Sequence, residues 1–323
     1  MKMSDTKPPS ASIFKLVDGF PIPLQFSEEN FRSAVNYKPR PDDIFIVTYP
    51  KCGTTWLQHI FMLILRHGQP LDSLEDMHDS SPFLDNRGAK SAETMKRPGA
   101  IKTHLPFHLA PWSPDNKYIY VARNPKDCCV SYYHHTSRIP SNFSGTFDEY
   151  FEKFLAGLVE FGDYFDHLLG WYTHRNDPNV LFITYEDLKE DFESNTLKIA
   201  AFIDDKKYAQ PIREHPEIMA NIKTYSSFDF IKEAHLQKEK EYKQEHESLE
   251  TKSKFSDETS KSDEDNCRGH ENKKRTMHAG HFRKGVVGDW KNYFSEEQTR
   301  RLKDKFTERT KGTDIESMWT KYM

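Results

Sequence analysis

The sequence predicts an α/β fold: a single domain with a central parallel sheet flanked by helices. Three observations predict it. Short apolar runs, IFIV (44–47), KYIYVA (117–122) and VLFIT (180–184), have the length and unbroken hydrophobicity of strands covered on both faces. Helical periodicity lies between them: after the first run, Leu57, Ile60, Phe61 and Ile64 recur at i, i+3, i+4 and i+7. The first strand and its helix are joined by YPKCGTTW (49–56), a loop that resembles a phosphate-binding turn. Ligands of such sheets sit beyond the carboxyl ends of the strands, and this loop falls at that edge.

Each element can be justified in order. Residues 1–12, MKMSDTKPPSAS, are polar and lack the apolar segment of a secretory signal, so they read as a flexible tail ahead of a domain spanning 13–323. A second strand ends in Arg123-Asn124-Pro125, and a helix begins near Lys126-Asp127. A charged, low-complexity insertion occupies about 235–275; its densest part, 236–265, has 16 charged residues in 30. It can bury little surface, and only EKEYKQEHE within it has a helical composition. Structure resumes at HFRKGVVGDW (281–290), and SEEQTRRLKDKF carries a capping box, Ser295 and Gln298, for a last helix.

Composition narrows the function classes. The chain of 323 residues has no run of 18 apolar residues, which argues against a membrane span. A net charge of −4 argues against a general nucleic-acid surface but leaves room for a local basic pocket. The four cysteines, Cys52, Cys128, Cys129 and Cys267, show no metal-ligand spacing. Free thiols in a reducing cytoplasm are the simplest reading.

Four segments can carry chemistry. In the loop, Gly53 permits a tight turn that brings amides near an anion, and Thr54 and Thr55 open the helix where its dipole favours negative charge. Lys51 adds a mobile cation and Trp56 a flat wall. The second glycine and following Gly-Lys-Ser/Thr of a nucleoside-triphosphate loop are missing, so an ordinary strand–turn–helix corner stays open as a reading. In IKTHLPFH (101–108), His104 is a candidate base and Lys102 a candidate anion partner, although most of the fifteen histidines must be structural or solvated. Arg123 at a strand end suits paired phosphate oxygens, and Ser131 lies about two turns into the following helix. Arg283, Lys284 and Gly285 set two cations beside a flexible backbone, which reads equally as a second anion site or a solvated basic turn.

Taken together and in order, YPKCGTTW, KTHLP, VARNPKDCCVSYYHH, ITYEDL (183–188) and RKGVVGDW closely resemble the motifs of the cytosolic sulfotransferase family, as do DGFPIP (18–23) and the PDDIFIVTYPK lead-in. The resemblance runs from about residue 14 to the end, interrupted by the charged insertion. It implies transfer of a sulfuryl group from 3′-phosphoadenosine 5′-phosphosulfate to a hydroxyl or amine of a small molecule, without a metal. The loop is then P-loop-like but holds a 5′-phosphosulfate: Lys51, Cys52, Gly53, Thr54 and Thr55 surround that group and Trp56 packs on adenine. Arg123, Ser131, Arg283, Lys284 and Gly285 correspond to binders of the 3′-phosphate, and Tyr185, Ser226 and Phe228 to neighbours of the adenine. Lys102 and His104 correspond to the transfer site, with His104 as general base and Lys51 and Lys102 stabilising charge. Phe20 and Phe83 lie in segments that line the family's acceptor pocket, and Tyr133 and Phe143 are further candidates. Aromatic walls favour a phenol or monoamine and would also admit a steroid.

Departures from the family pattern matter. Cys52 stands where Ser is usual and puts an oxidisable thiol in the loop. Ser226 replaces Thr and keeps the hydroxyl. The family's dimer motif reads here as KNYFSEEQTR, with Ser295, Glu296 and Arg300 at the altered positions, so a monomer or a non-standard homodimer is expected. The link from Phe228 to Arg283 is longer than usual and implies an unusual cover over the site. Three competing readings are a kinase-like or GTPase-like nucleotide site, a Golgi carbohydrate sulfotransferase and a catalytically inactive protein that binds adenosine 3′,5′-bisphosphate. The first lacks its loop signature, and the second would usually begin with a membrane anchor.

Overall fold

The computed structural model describes residues 13–138, 142–238, 240–241 and 283–323. The expected tail, 1–12, and nearly all of the charged insertion lie outside the described residues. The chain opens with a hairpin of β1 (Phe14–Val17) and β2 (Phe20–Pro23), turned by Asp18 and Gly19, both left-handed at φ 52° and 84°. Then come the four strands of the main sheet: β3 (Ile44–Thr48), β4 (Ile101–Thr103), β5 (Lys117–Ala122) and β6 (Val180–Thr184). They are all parallel, in the order β4-β3-β5-β6. The chain moves from β3 to one side and then crosses to the other, so the carboxyl ends of β3 and β5 flank the switch point where doubly wound sheets bind ligands.

The two faces of this sheet carry different side chains. On one face Phe45, Val47, Tyr118, Tyr120 and Ala122 meet an aromatic layer that includes Tyr164, Trp171 and Phe154. Phe45 stacks on Tyr118 at 4.9 Å and Tyr120 on Trp171 at 5.7 Å. On the other face Ile46, Ile119, Val121 and Ile183 meet aliphatic residues of the helix Thr54–Leu65. That helix is sandwiched between the sheet and the helices Phe192–Asp204 and Pro216–Tyr225, so all of it but Trp56 is buried. An expected amphipathic helix is therefore covered on nearly every side, with Gln58 and His59 buried among its apolar residues.

The three expected strands are present with boundaries within a residue, and the last helix, Glu296–Thr310, has both halves of the Ser295–Gln298 capping box. The hairpin and β4 did not register in the sequence because each strand is only three or four residues long. Arg300 pairs within its own helix, with Glu297 at 2.7 Å and Asp304 at 2.8 Å.

Candidate active site

The loop after β3 is shaped by two left-handed residues, Lys51 at φ 69° and Gly53 at φ 101°. Glycine is needed at the second for more than its torsion. A Cβ there would lie 2.7 Å from Cδ2 of Tyr185. Gly53 is also the residue ahead of the helix Thr54–Leu65, and no side chain caps that end. The first-turn amides therefore lack a side-chain acceptor at the positive pole of the helix dipole, which suits an anion. Thr54 and Thr55 sit in that turn, and Thr54 Oγ1 is 2.6 Å from Thr48 Oγ1.

The segments after β5 and near the C-terminus are pinned to this loop by buried polar bonds. Asn124 caps the helix Pro125–Ser137 by accepting the Asp127 N–H at 2.9 Å. Asp127 in turn accepts the N–H groups of Gly288 at 2.6 Å and Trp290 at 3.0 Å, which brings Arg283, Lys284 and Gly285 to the sheet edge. Glu186 accepts the Asn124 N–H at 3.0 Å, its Nδ2 at 2.7 Å and Trp319 Nε1 at 2.9 Å. Arg123 donates to the carbonyls of Lys51 at 3.1 Å and Val286 at 3.2 Å and lies 4.4 Å over the Tyr185 ring, while its buried Nε has no partner. Trp56 donates to the Ser226 carbonyl at 2.9 Å and meets Tyr185 edge-on at 5.3 Å; Lys189 stands 4.5 Å over its ring. Gly285, at φ 66°, presses on Phe228, which a Cβ would overlap.

His104 follows β4 and is fixed on several sides. Its Nδ1 lies 2.8 Å from the Thr48 carbonyl oxygen, which can only accept, so Nδ1 carries the hydrogen and Nε2 is left unprotonated. Its backbone N–H donates to Asp85 at 2.7 Å, and the other oxygen of Asp85 accepts the Thr103 hydroxyl at 2.6 Å. Rings close around it: Phe83 at 5.0 Å and Phe161 at 5.3 Å, with Phe26 edge-on to both of these at 5.5 and 6.2 Å. Lys102 Nζ lies 4.2 Å over the Phe83 ring.

These groups line one cavity of about 660 Å³. It brings together Lys51, Gly53, Thr54, Thr55, Trp56, Phe83, Lys102, His104, Arg123, Ser131, Tyr185, Phe228, Arg283, Lys284 and Gly285. Five expected residues are elsewhere. Cys52 turns its Sγ into the core, 3.7 Å from Cys128 Sγ, where burial raises its pKa and shields it from oxidants. Ser226 is buried with its Oγ unpartnered, and its carbonyl rather than its hydroxyl serves the site. Phe20 stacks on Phe31 at 5.7 Å and borders a separate hollow of about 390 Å³. Tyr133 and Phe143 pack with Phe147 and Tyr150: one step along the helix from Tyr132 turns Tyr133 by about 100°, and Phe143 lies in the loop ahead of the helix Phe147–Leu155. Ser131, Tyr132, His135 and Arg138 take the cavity face instead. Counting i+1, i+4 and i+7 from Ser131 would have found them. Phe26, Phe161, Arg87 and Glu160 also line the cavity and lie in no motif.

Several of these groups are electrostatically perturbed. Burial, reinforced by Lys102, Arg123 and Arg138, lowers Lys51 to about 7. Burial and Arg87 lower Lys102 to about 8 against the opposing pull of Asp85. Burial, then Lys102, holds His104 well below the usual histidine range, so it is neutral at pH 7. Burial pushes Asp85 up to about 6 and Glu160 up to about 8. A cavity whose cations are buried and also repel one another favours an anionic ligand. Among the described residues no group of His, Cys, Asp and Glu could hold a metal ion, and no helix is long and apolar enough to cross a membrane.

Known proteins resemble this chain in sequence and fold. The Sulfotransferase domain family matches residues 41–266 and 257–314. A rabbit (Oryctolagus cuniculus) amine sulfotransferase is 33% identical over 88% of this chain and 86% of its own. Sulfotransferase 1 family member D1 of rat (Rattus norvegicus) is 32% identical over 93% of this chain and 95% of its own. Among solved structures, mouse sulfotransferase SULT7A1 complexed with PAP superimposes with a TM-score of 0.68 at 31% identity, covering 96% of this chain and all of that one. A retinol dehydratase at 22% identity and a TM-score of 0.65 shares the fold. With its parallel sheet, its loop after β3 and this cavity, the chain belongs to the sulfotransferase family.

Proposed function

We propose that this chain transfers a sulfuryl group from 3′-phosphoadenosine 5′-phosphosulfate to a hydroxyl or amine of a small molecule, with His104 as general base. The observation that carries this reading is the bond from His104 Nδ1 to the Thr48 carbonyl, which leaves an unprotonated Nε2 in the same cavity as Lys51, Lys102 and the loop. The residues fit the donor. The uncapped helix end, Thr54, Thr55 and Lys51 suit its phosphosulfate; Arg123, Ser131, Arg283, Lys284 and Gly285 suit its 3′-phosphate; Trp56, Tyr185 and Phe228 suit its adenine. The donor supplies an activated sulfuryl group on a mixed anhydride.

The chain's own residues do the rest. His104 Nε2 accepts the acceptor's proton as its oxygen or nitrogen begins to bond. Lys51 and Lys102 hold positive charge where the departing oxygen becomes negative, in a cavity that makes each charge count for more than in water. Transfer of this kind passes through a loose transition state, so positioning matters more than covalent help. Asp85 supports it by fixing the backbone at His104 and the hydroxyl of Thr103. Phe26, Phe83 and Phe161 form walls for a flat acceptor such as a phenol, an aryl amine or a steroid ring.

Two measurements test this. Adenosine 3′,5′-bisphosphate at 100 times its dissociation constant adds about 2.7 kcal/mol, a rise in Tm of about 4 °C for a chain this long, whereas AMP and Mg-ATP leave Tm unchanged. Incubation with the sulfated donor and a panel of phenols, amines and alcohols yields sulfated products by mass spectrometry. Tight bisphosphate binding without transfer to any acceptor would make this an inactive binding protein instead.

A further inference from the structure

The arginines of this chain divide in a way that surface chemistry alone does not explain. The other described arginines hold carboxylates, Arg283 in the cavity wall included: Arg32 holds Asp18, Arg97 holds Asp42 and Asp43, Arg283 holds Asp289, Arg301 holds Glu152 and Arg309 holds Asp166. Among the described residues, three arginines have no carboxylate within ion-pair distance: Arg87, Arg123 and Arg138. All three line the one cavity. Arg123 stands at the donor end, beside the loop. The other two do not. Arg87 ends the short helix Leu84–Arg87, four residues beyond Phe83, and makes only a 3.5 Å contact with the His78 carbonyl. Arg138 caps the far end of the helix Pro125–Ser137, about 10 Å along its axis from Ser131 and away from the end that faces the donor loop.

We propose that Arg87 and Arg138 form an anion-recognition site at the acceptor end of the cavity, and that the acceptor is a hydroxyaryl compound bearing a carboxylate or comparable anionic group. This rests on the sulfuryl-transfer reading above and narrows its acceptor. The ring lies against Phe26, Phe83 and Phe161 with its hydroxyl at His104, and the anion reaches the two guanidinium groups at the rim. Both arginines are exposed, so a ligand can reach them without rearrangement. Each also adds to the repulsion on buried neighbours, Arg87 on Lys102 and His78, Arg138 on Lys51 and His135. The one carboxyl in the same wall among the described residues, Glu160, accepts Asn142 Nδ2 at 2.8 Å and is pushed up to about 8 by burial, so at pH 7 it does not cancel them. A cationic amine acceptor would meet this field unfavourably.

The test is a matched trio: 3-(4-hydroxyphenyl)propanoate, its methyl ester and tyramine. Both kcat/KM with the sulfated donor and Kd for the protein with and without adenosine 3′,5′-bisphosphate are measured. A charge-assisted bond at an exposed rim corresponds to about tenfold, so the acid exceeds the ester about tenfold and exceeds the amine by more. In Arg87→Gln/Arg138→Gln the acid-to-ester ratio falls to within about twofold, and 0.5 M salt lowers the wild-type ratio in the same direction. The single variants each lower it partway, which serves if the double variant does not fold. A preference for the ester or the amine, or an acid preference that survives both substitutions, overturns the proposal. Selective acid binding without transfer leaves the anion site standing and sinks the transfer reading. Ready transfer to the ester and amine but not the acid does the reverse.

Discussion

The end of the cavity proposed to hold the donor and the end proposed to hold the acceptor are built by different means. The donor end is mostly backbone: a turn of two left-handed residues, an uncapped helix end and a glycine held against Phe228. Its side chains come from short continuous motifs locked together by Asp127 and Glu186. The acceptor end is mostly side chain. Phe26, Phe83, Phe161, His135, Glu160, Arg87 and Arg138 come from several separate segments of the chain. A site for an invariant ligand can be written into main-chain geometry, whereas a site for a variable ligand is written into exchangeable side chains. His104 stands where the two ends meet.

The comparison can be broken by substitution. The largest effect belongs to the junction. His104→Ala is expected to lower kcat by about 10²–10⁴ while the Kd for adenosine 3′,5′-bisphosphate changes less than threefold, read by single-turnover transfer and calorimetry. Next comes the donor end. Lys51→Ala or Arg123→Ala removes a charge-assisted contact and is expected to weaken bisphosphate binding about 10–100-fold, with acceptor selectivity unchanged. Gly53→Ala combines a strained left-handed torsion with a Cβ 2.7 Å from Tyr185, so it is expected to cost about 1–3 kcal/mol of stability and most of the donor affinity. A bisphosphate titration and a thermal melt of that variant check both.

The smallest effect is in protons. In the free protein Lys51 sits near 7 and Lys102 near 8, both depressed mainly by burial. A bound anion favours their charged forms and raises both, so binding takes up protons between about pH 7 and pH 10. Donor affinity accordingly falls as pH rises through that window. Calorimetry in buffers of different ionisation enthalpy reads the uptake directly, and proton release on binding would contradict it.

What could be read from the sequence follows the same division. The sheet was legible because IFIV, KYIYVA and VLFIT are each long enough to carry a strand signal. β4, of three residues, was not. The residues proposed to hold the donor could be grouped from the sequence because Lys51 to Trp56 and Arg283 to Gly285 are contiguous, and contiguous residues share a loop whatever the rest of the chain does. The residues proposed to hold the acceptor could not. Phe20, Tyr133 and Phe143 are aromatics in plausible segments, but the hairpin turns Phe20 onto Phe31, the helix Pro125–Ser137 turns Tyr133 onto Tyr150, and the loop ahead of the next helix packs Phe143 there too. Phe161 reaches His104, and Phe26 reaches Phe161, only through contacts between segments far apart in the chain, which no local pattern encodes. Cys52 was correctly in the loop, but a side chain's direction in a strained turn depends on the torsion of Lys51, and a sequence does not state it.

The central claim is that one histidine at the junction moves the proton while the donor end binds on its own. The most direct test measures, on the same preparations of wild type and His104→Ala, adenosine 3′,5′-bisphosphate affinity by calorimetry and sulfuryl transfer to a phenol in a single turnover. The account predicts matched affinities and a transfer rate lower by about 10²–10⁴. A variant that loses affinity and transfer together, or one that keeps its rate, would contradict it.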